Sequence, residues 1–441
     1  MSWKDAIPNP TIIVGSGVFG ASTALALIEA HPSMAVTLVD ACHYPSNRAA
    51  SHDVNRIVRA DYSDIMHMKL ALEAMQLWTS SPLYSAWYHH SGLLRVGKTA
   101  LSRKCMENFA ALRASSEAKM IPVAVAKEMW GGVFTDMNSG DETDCYWQPN
   151  AGWADAAKAL GAVVQEAVNK GVRYLEATVT KVSIAKDETC TGVQLADGTA
   201  LTADFVMLCT GARTADLLAK SAPTNTQVQT GNRLIGQGML TFYARIPQER
   251  WAEFRDAPVL AGGLEHMSGE SIPLNSDGIL KFNCDPAFKY TTKHESTGKL
   301  MSIPPLTPTK TLWTEPDDIP QGLRGLAQRV YQSMYGKRVA GIELEKYRIG
   351  WDCSTPSADF LISTHPHCKN LFLATGGSWH SWKMLPVLGR YVLKALHGTL
   401  DNEMTQRWAW DHFDFEGVEL GNENKVYKSK IDWVDIIKSR I

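Results

Sequence analysis

No Cys-x-x-Cys pair occurs among the eight cysteines, which stand singly at 42, 105, 145, 190, 209, 284, 353 and 368. That scatter excludes a disulfide framework and a structural zinc site, and no metal is expected. It suits a reducing compartment. Long apolar runs are also missing: none reaches the roughly 18–20 residues that a membrane span needs. Charge of one sign is lacking, with a formal net charge of −2 over 441 residues. So balanced a chain has no electrostatic case for nucleic acid or an anionic membrane surface. The opening MSWKDAIPNP has neither the basic n-region nor the apolar stretch of a secretory signal. Internal repeats and low-complexity tracts are absent as well. What remains is an apolar fraction of 45% in a chain long enough for two domains.

Thr11–Val14 is a short β-branched run that ends in glycines, and an apolar-rich helix is predicted over Ala21–Ala30. Val36–Asp40 reads as a second buried strand closing on an acid. Between them, Gly15-Ser16-Gly17-Val18-Phe19-Gly20 fits GxGxxG in the strand-to-helix setting the motif requires. The first glycine permits the tight turn and the second a close approach of backbone to a pyrophosphate. The third lets helix pack on strand, with N–H groups aimed at the phosphate. Asp40, twenty residues after Gly20, is placed to accept ribose hydroxyls. A glycine turn without ligand is the bland alternative, and the complete strand–glycines–helix–strand–acid set disfavours it.

Helices are further expected at Met66–Trp78, Ala154–Asn169 and Gly389–His397. Strands are expected at Val172–Leu175, Val179–Ser183, Gly192–Leu195, Phe205–Cys209 and Leu371–Ala374. Phe205–Cys209 stops at Thr210-Gly211-Ala212 after a β-rich excursion, an arrangement of FAD-containing oxidoreductases rather than of simple dehydrogenases. The nucleotide-type strands are scattered, so that domain is discontinuous. The expected class is α/β (α+β overall), with a Rossmann-like FAD domain from 1–70, 150–220 and 345–400. A mixed-sheet substrate domain takes 71–149 and 221–344, and 401–441 is a C-terminal extension.

Five segments carry a more specific likeness. They are Pro45-Ser46 with Ser51-His52-Asp53-Val54-Asn55-Arg56-Ile57-Val58-Arg59, Gly152-Trp153 opening a helix, Asp277-Gly278-Ile279-Leu280-Lys281, Tyr347–Pro366, and Ala374–Pro386. In this order the chain resembles the sarcosine oxidases, pipecolate oxidases and fungal fructosyl-amino-acid oxidases (amadoriases) from about Ile12 to Leu400. The Asp-Val-Asn stretch is amadoriase-like, whereas Arg56 and Arg59 are spaced as in sarcosine and pipecolate oxidases. The likeness implies a two-domain architecture like that of D-amino-acid oxidase.

The resemblance implies roles for individual residues. Lys281 falls where the family places a lysine over the flavin that promotes electron transfer to oxygen; a fixed cation stabilises the developing anion. Arg59 and Lys383 fall near the substrate carboxylate, where a guanidinium can fork and an ammonium adds a point charge. Asp285 falls where amadoriases carry a substrate-binding acid, with a solvated acid as the alternative. The implied cofactor set is Gly15, Ser16, Gly17, Val18, Phe19, Gly20, Asp40, Ala41, Ser46, Ser51, His52, Asn55, Arg56, Val179, Thr210, Gly211, Gly350, Gly377, Trp379, His380, Ser381, Trp382 and Lys383. Arg56 packs against the flavin region in this reading. Trp351 and Trp382 are read as core packing, with an apolar lid over the flavin or a cage for an amine as the alternative. Trp379 replaces a glycine usual in this loop, so its ring must lie near cofactor and substrate. His380 is read as structural, through a hydrogen bond, with a catalytic role as the alternative.

The family usually tethers FAD through a cysteine ten residues before the Phe of a Phe-(Leu/Ile)-Ile motif. Counting back from Phe360 gives Gly350, and the nearest cysteine is Cys353. Three residues of extended chain displace a side chain by about 10 Å and reverse its face. Non-covalent FAD is therefore expected.

The reaction implied is oxidation of a C–N bond in a secondary amine or N-substituted amino acid, of sarcosine, pipecolate, saccharopine or fructosyl-amino-acid type. Its products are an imine and hydrogen peroxide. A tailoring oxidase or monooxygenase on an amine-containing natural product, and a silent FAD-binding protein, remain as alternatives. Expected partners are a small-molecule amine and oxygen, with the chain a monomer or weak homo-oligomer. Ser439-Arg440-Ile441 resembles the peroxisomal Ser-Lys-Leu address without matching its last residue, so the expectation is cytoplasmic with peroxisomal import as the alternative.

Overall fold

Alternate residues of strand Thr11–Val14 serve two different cores. Ile13 packs with Ala21, Leu27 and Ile28 of the following helix, while Ile12 and Val14 pack with Val182, Val193 and Leu208. The neighbouring strands divide in the same way, as a parallel sheet covered on both faces must. The computed structural model describes residues 7–305, 313–411 and 431–438. Ser439-Arg440-Ile441, on which the peroxisomal reading falls, lies outside them.

The first sheet runs Leu361–Thr364, Leu371–Thr375, Phe205–Leu208, Thr11–Val14, Val36–Asp40, Arg173–Glu176. It is parallel except for its Leu361–Thr364 edge. Helices Val18–Ala30, Ala156–Asn169 and Leu385–His397 cover one face, and the antiparallel Val179–Ile184, Cys190–Leu195, Ala200–Thr202 sheet covers the other. Strand order reverses beside Thr11–Val14, so its carboxyl end is the switch point where such folds take ligands.

A second sheet of eight strands runs Leu344–Ser354, Ile235–Arg245, Ile279–Lys289, Gly269–Ile272, Val259–Gly262, Leu93–Val96, Asp144–Gln148, Lys119–Pro122. Leu280, Phe282 and Cys284 share a core with Tyr331 and Met334 of helix Gln321–Tyr335. Lys281 and Asn283 therefore belong to the opposite face. Leu344–Ser354 pairs along its whole length with Ile235–Arg245, and so joins this sheet although it adjoins the last strands of the first.

A small antiparallel sheet of Asn55–Val58, Gly152–Asp155 and Tyr88–His90 sits beside both. Here one expectation is corrected: Gly152-Trp153 does not open a helix but lies in a strand, with the helix starting at Ala156. The reason is close pairing. A Cβ on Gly152 would come within 2.1 Å of the His89 carbonyl oxygen, and the Trp153 ring stacks on His89 at 4.0 Å.

Candidate active site

The turn after Thr11–Val14 is built on what glycine lacks. Gly15 has φ +97°, and a Cβ there would come within 2.5 Å of the Cys209 carbonyl oxygen; one on Gly20 would reach 1.8 Å from the Gly15 carbonyl oxygen. Asp40 organises the rim. Its Oδ2 accepts from the Ser16 N–H at 2.7 Å and Oγ at 3.0 Å, and its Oδ1 accepts from Ser46 Oγ at 2.6 Å. Ser51 Oγ accepts from the Val18 N–H at 3.1 Å, which folds the 46–53 loop over the glycine turn. Phe19 points into the core, edge-on to Phe360 at 5.5 Å. Ala41 follows Asp40 on this rim. Thr210 bonds Thr214 at 2.9 Å just beyond Phe205–Leu208, and Gly211 follows it with φ +51°.

Behind that loop four charges meet. Lys281 Nζ donates to Asp53 Oδ2 at 2.7 Å and to the Asn55 carbonyl at 2.8 Å, and both charged side chains are essentially buried. Arg56 stands 3.5 Å and Arg348 3.9 Å from the same carboxylate. Arg348 donates to the carbonyls of His52 and Ala49, and Arg56 to that of Ala50, so the loop is held from below. Burial alone would raise the Asp53 carboxyl, but Lys281, Arg56 and Arg348 outweigh it and hold it at about 2. Lys281 moves the other way. Burial, with repulsion from Arg56 and Arg348, outweighs Asp53 and draws it down to about 8. Burial and Arg348 also press His52 down to about 4, so its imidazole is neutral.

Arg59 and Lys383 converge on Tyr62. The guanidinium lies 5.0 Å from the Tyr62 ring centre and donates to the Asp61 carbonyl. Lys383 Nζ donates to the Tyr62 hydroxyl at 3.0 Å and to the His380 carbonyl at 3.4 Å. Burial opposes the charge on Arg59, but Tyr62, Asp61 and Glu270 prevail and hold it protonated. His380 lies 5.4 Å from Tyr62 and 5.1 Å from His67; burial, His67 and Lys383 keep it well below the usual imidazole range.

The Gly377–Lys383 loop carries a strained residue. Trp379 has φ +66°, a left-handed conformation costly for a residue with a Cβ. Its N–H is clamped at 2.8 Å by Asp352 Oδ2, while Asp352 Oδ1 accepts from the Cys353 N–H. Gly377 has no room for a side chain, since a Cβ would meet Ser381 Oγ at 2.5 Å. Trp382 stacks on Trp78 at 5.3 Å, and Trp351 packs edge-on to Phe288.

Over residues 11–395 the chain matches the DAO family, described as FAD dependent oxidoreductase. It belongs to that family. L-saccharopine oxidase of Schizosaccharomyces pombe is 26% identical over 450 residues, covering 96% of this chain and 97% of the relative. Monomeric sarcosine oxidase of a Bacillus species is 23% identical over 382 residues, covering 86% and 90%. The solved structure of a modified fructosyl peptide oxidase from Aspergillus nidulans superposes with a TM-score of 0.78 at 25% identity, covering 93% and 95%.

The residues of this FAD-dependent oxidoreductase fit the cofactor. Besides the phosphate turn and Asp40, a set of buried polar atoms has no partner among the described residues: both ends of the Asn55 amide, His52 Nδ1, Arg56 Nε and the indole nitrogens of Trp379 and Trp382. Each such atom costs about 1–3 kcal/mol unless something pairs with it, and a ring system with several hydrogen-bonding edges can. Gly350 is buried, yet a Cβ there would meet nothing within 4 Å, so interior space opens on that face of its strand. Cys353 occupies the other face, 1% exposed, its thiol pushed up to about 12 by burial.

One expected residue stands apart from this cluster. Asp285 faces Lys98 at 3.9 Å and Ser268 at 3.4 Å, half-exposed, and touches neither Arg59 nor Lys383. Val179 is half-buried, two residues after Ala177, whose N–H donates to the Asp40 carbonyl at 2.7 Å. Asp53, Asp61, Tyr62, Tyr146, Glu270, Arg348 and Asp352 were not singled out from sequence. Asp53, Arg348 and Asp352 lie inside segments that carried the resemblance; the others gave no local signal.

Proposed function

We propose that this FAD-dependent oxidase breaks a C–N bond in a secondary amine or N-substituted amino acid whose carboxylate lies close to the oxidised nitrogen. The observation that carries this reading is the convergence of Arg59 and Lys383 on Tyr62, beside the buried Lys281–Asp53 pair. Two cations there meet a carboxylate by fork and point charge. FAD, when bound, supplies a two-electron acceptor that oxygen regenerates, giving hydrogen peroxide. The chain's own work is orientation, exclusion of water and fixed charge. Tyr62 and His380 wall the carboxylate end, and neutral His380 adds no competing cation. Lys281 holds positive charge where oxygen gains electrons. The substrate loses two electrons and two protons to give an imine, and water hydrolyses the imine to an amine and a carbonyl compound.

Substrates of sarcosine, pipecolate, saccharopine or fructosyl-amino-acid type fit this description. In this reading 1–70, 150–220 and most of 345–400 serve the cofactor, and 71–149 and 221–344 the substrate, with FAD held non-covalently. No helix among the described residues is long and apolar enough to cross a membrane; the proposed setting is the cytoplasm, as a monomer or weak homo-oligomer. A hydrogen-peroxide assay across N-substituted amino acids tests the activity. Peroxide in step with substrate loss and without NADPH is expected; NADPH-dependent oxygenation or a flavin unreduced by every substrate overturns it.

A further inference from the structure

Trp379 does not bear its strain alone. Ser378 precedes it at φ +47° and Trp379 stands at φ +66°, two consecutive side-chain-bearing residues in the left-handed region. There Cβ crowds the following carbonyl, and each residue is biased roughly five- to thirtyfold toward other backbone. The loop's own bonds, from the His380 and Ser381 N–H groups to the Gly377 carbonyl at 2.8 and 3.2 Å, close a turn but leave the N–H groups of Ser378 and Trp379 to other partners. Those partners lie at the end of the strand Leu344–Ser354. The Ser378 N–H donates to the Cys353 carbonyl at 2.9 Å, and Ser378 Oγ accepts from the Thr355 N–H at 3.2 Å. The Trp379 N–H donates to Asp352 Oδ2 at 2.8 Å. The first two bonds use backbone of the 353–355 segment, whereas the third uses a side chain.

Both oxygens of that side chain are engaged. Asp352 Oδ1 accepts from the Cys353 N–H at 2.8 Å, so one oxygen fixes the carboxylate and the other clamps the turn. It lies tight against the loop, since a Cβ on Gly377 would come within 3.2 Å of Oδ1. The strand puts it there by alternation. Tyr347, Ile349, Trp351 and Cys353 pack into hydrophobic cores. Arg348, Gly350 and Asp352 share the other face. Arg348 grips the carbonyls of Ala49 and His52, a Cβ on Gly350 would meet nothing within 4 Å, and Asp352 meets the strained turn. That face borders the cofactor site along its length. The Trp379 indole nitrogen is buried there with no partner among the described residues. Reversing φ at Trp379 would swing its Cβ, and the ring with it, to another direction.

We propose that Asp352 is a positioning residue for FAD: its carboxylate holds Trp379 in the left-handed conformation and thereby fixes the indole in the flavin site. A glycine at 379 would adopt that backbone freely and need no clamp. Tryptophan at 379 and aspartate at 352 therefore act as a pair. Without the clamp only a fraction of the free protein holds the turn ready, and the apparent affinity for FAD falls by that fraction. The substrate takes no part in this, so the pair has the same role whichever amine is oxidised.

A double-mutant cycle tests the pair. FAD is titrated into the cofactor-free full-length protein, with flavin fluorescence reporting binding; a riboflavin-starved host supplies that protein if the flavin resists acid. Asp352→Ala should weaken FAD binding by roughly five- to thirtyfold when Trp379 is retained. Combined with Trp379→Gly, the same change should weaken it by no more than about twofold, because glycine needs no clamp. The Cys353 N–H loses its acceptor in both comparisons, so that loss cancels. Asp352→Asn should fall between wild type and Asp352→Ala, since its one oxygen can still accept from one N–H. If Asp352→Ala does not fold, the cycle run with Asp352→Asn decides by the same comparison. Equal weakening with tryptophan and with glycine at 379 would mean that Asp352 acts through its charge or on the fold at large, and overturns the proposal. Full affinity in a folded Asp352→Ala protein that retains Trp379 overturns it too.

Discussion

Lys281 Nζ and Asp53 Oδ2 lie 2.7 Å apart with neither side chain open to solvent. The cluster around the pair is not neutral, because Arg56 and Arg348 crowd the same carboxylate. Its surplus of positive charge sits among the unpaired polar atoms that fit FAD, where reduction of cofactor and oxygen adds negative charge.

Lys281→Met should slow reoxidation of the reduced flavin by oxygen far more than reduction by substrate. Losing one fixed donor beside developing charge costs about 2.7–4 kcal/mol, roughly a hundred- to a thousandfold in rate. Stopped-flow traces of the two half-reactions provide the check, and equal slowing would remove Lys281 from that role. The wild-type pH dependence has a definite sign. Lys281 is drawn from its ordinary 10.5 down to about 8, so its charge is present below that pH and lost above it. The reoxidation rate should fall as pH rises through about 8.

Asp53→Asn should destabilise the fold and move that decline to lower pH. Removing the carboxylate leaves Lys281, Arg56 and Arg348 buried together, and breaking a buried pair from one side costs about 3–5 kcal/mol. Urea unfolding of the cofactor-free protein measures the first effect. The second follows because nothing then offsets burial and repulsion at Lys281. A decline that stays near pH 8 in the variant would mean that another group titrates there.

Arg59→Ala should weaken binding of a carboxylate-bearing substrate by about ten- to a hundredfold while FAD content stays normal, since a charge-assisted hydrogen bond contributes roughly 1.5–3 kcal/mol. Arg59→Lys should restore part of it, because an ammonium cannot reproduce the fork. Comparing each acid with its amide on wild-type protein is the simplest measurement. Equal turnover of the two would move recognition elsewhere.

FAD should leave the polypeptide on acid or heat treatment. Gly350 has no sulfur to offer, and Cys353 lies in the opposite core with its thiol raised to about 12. Yellow fluorescence that stays with the band in denaturing electrophoresis would demand another attachment point.

Much of the nucleotide half was legible because its information is local. The glycines, Asp40 and the strand alternation lie within thirty residues, and the structure adds two bonds that the sequence did not announce, Ser16 to Asp40 and Val18 to Ser51. Gly152-Trp153 was misread as opening a helix because pairing with strands at 55–58 and 88–90 overrode the helical pattern that begins at Ala156. The inner face of the eight-stranded sheet was scarcely legible. Arg95, Ala261 and Glu270 adjoin only through the register of three strands, and Arg348 reaches Asp53 across almost three hundred residues. A cation whose partner is so distant reads in sequence as any other arginine.

Arg348 also ties together two parts of the molecule that lie far apart in sequence. It grows from the strand that edges the eight-stranded sheet, yet it grips the carbonyls of His52 and Ala49 in the loop that closes on the glycine turn. Whatever orders that loop must therefore also tighten the sheet. Because FAD binds only the native chain, its concentration enters the unfolding equilibrium: at a hundred times its dissociation constant it adds about 2.7 kcal/mol. Through Arg348 that increment should reach the Leu344–Ser354 strand, so cofactor depletion should raise amide exchange there as well as in the loop.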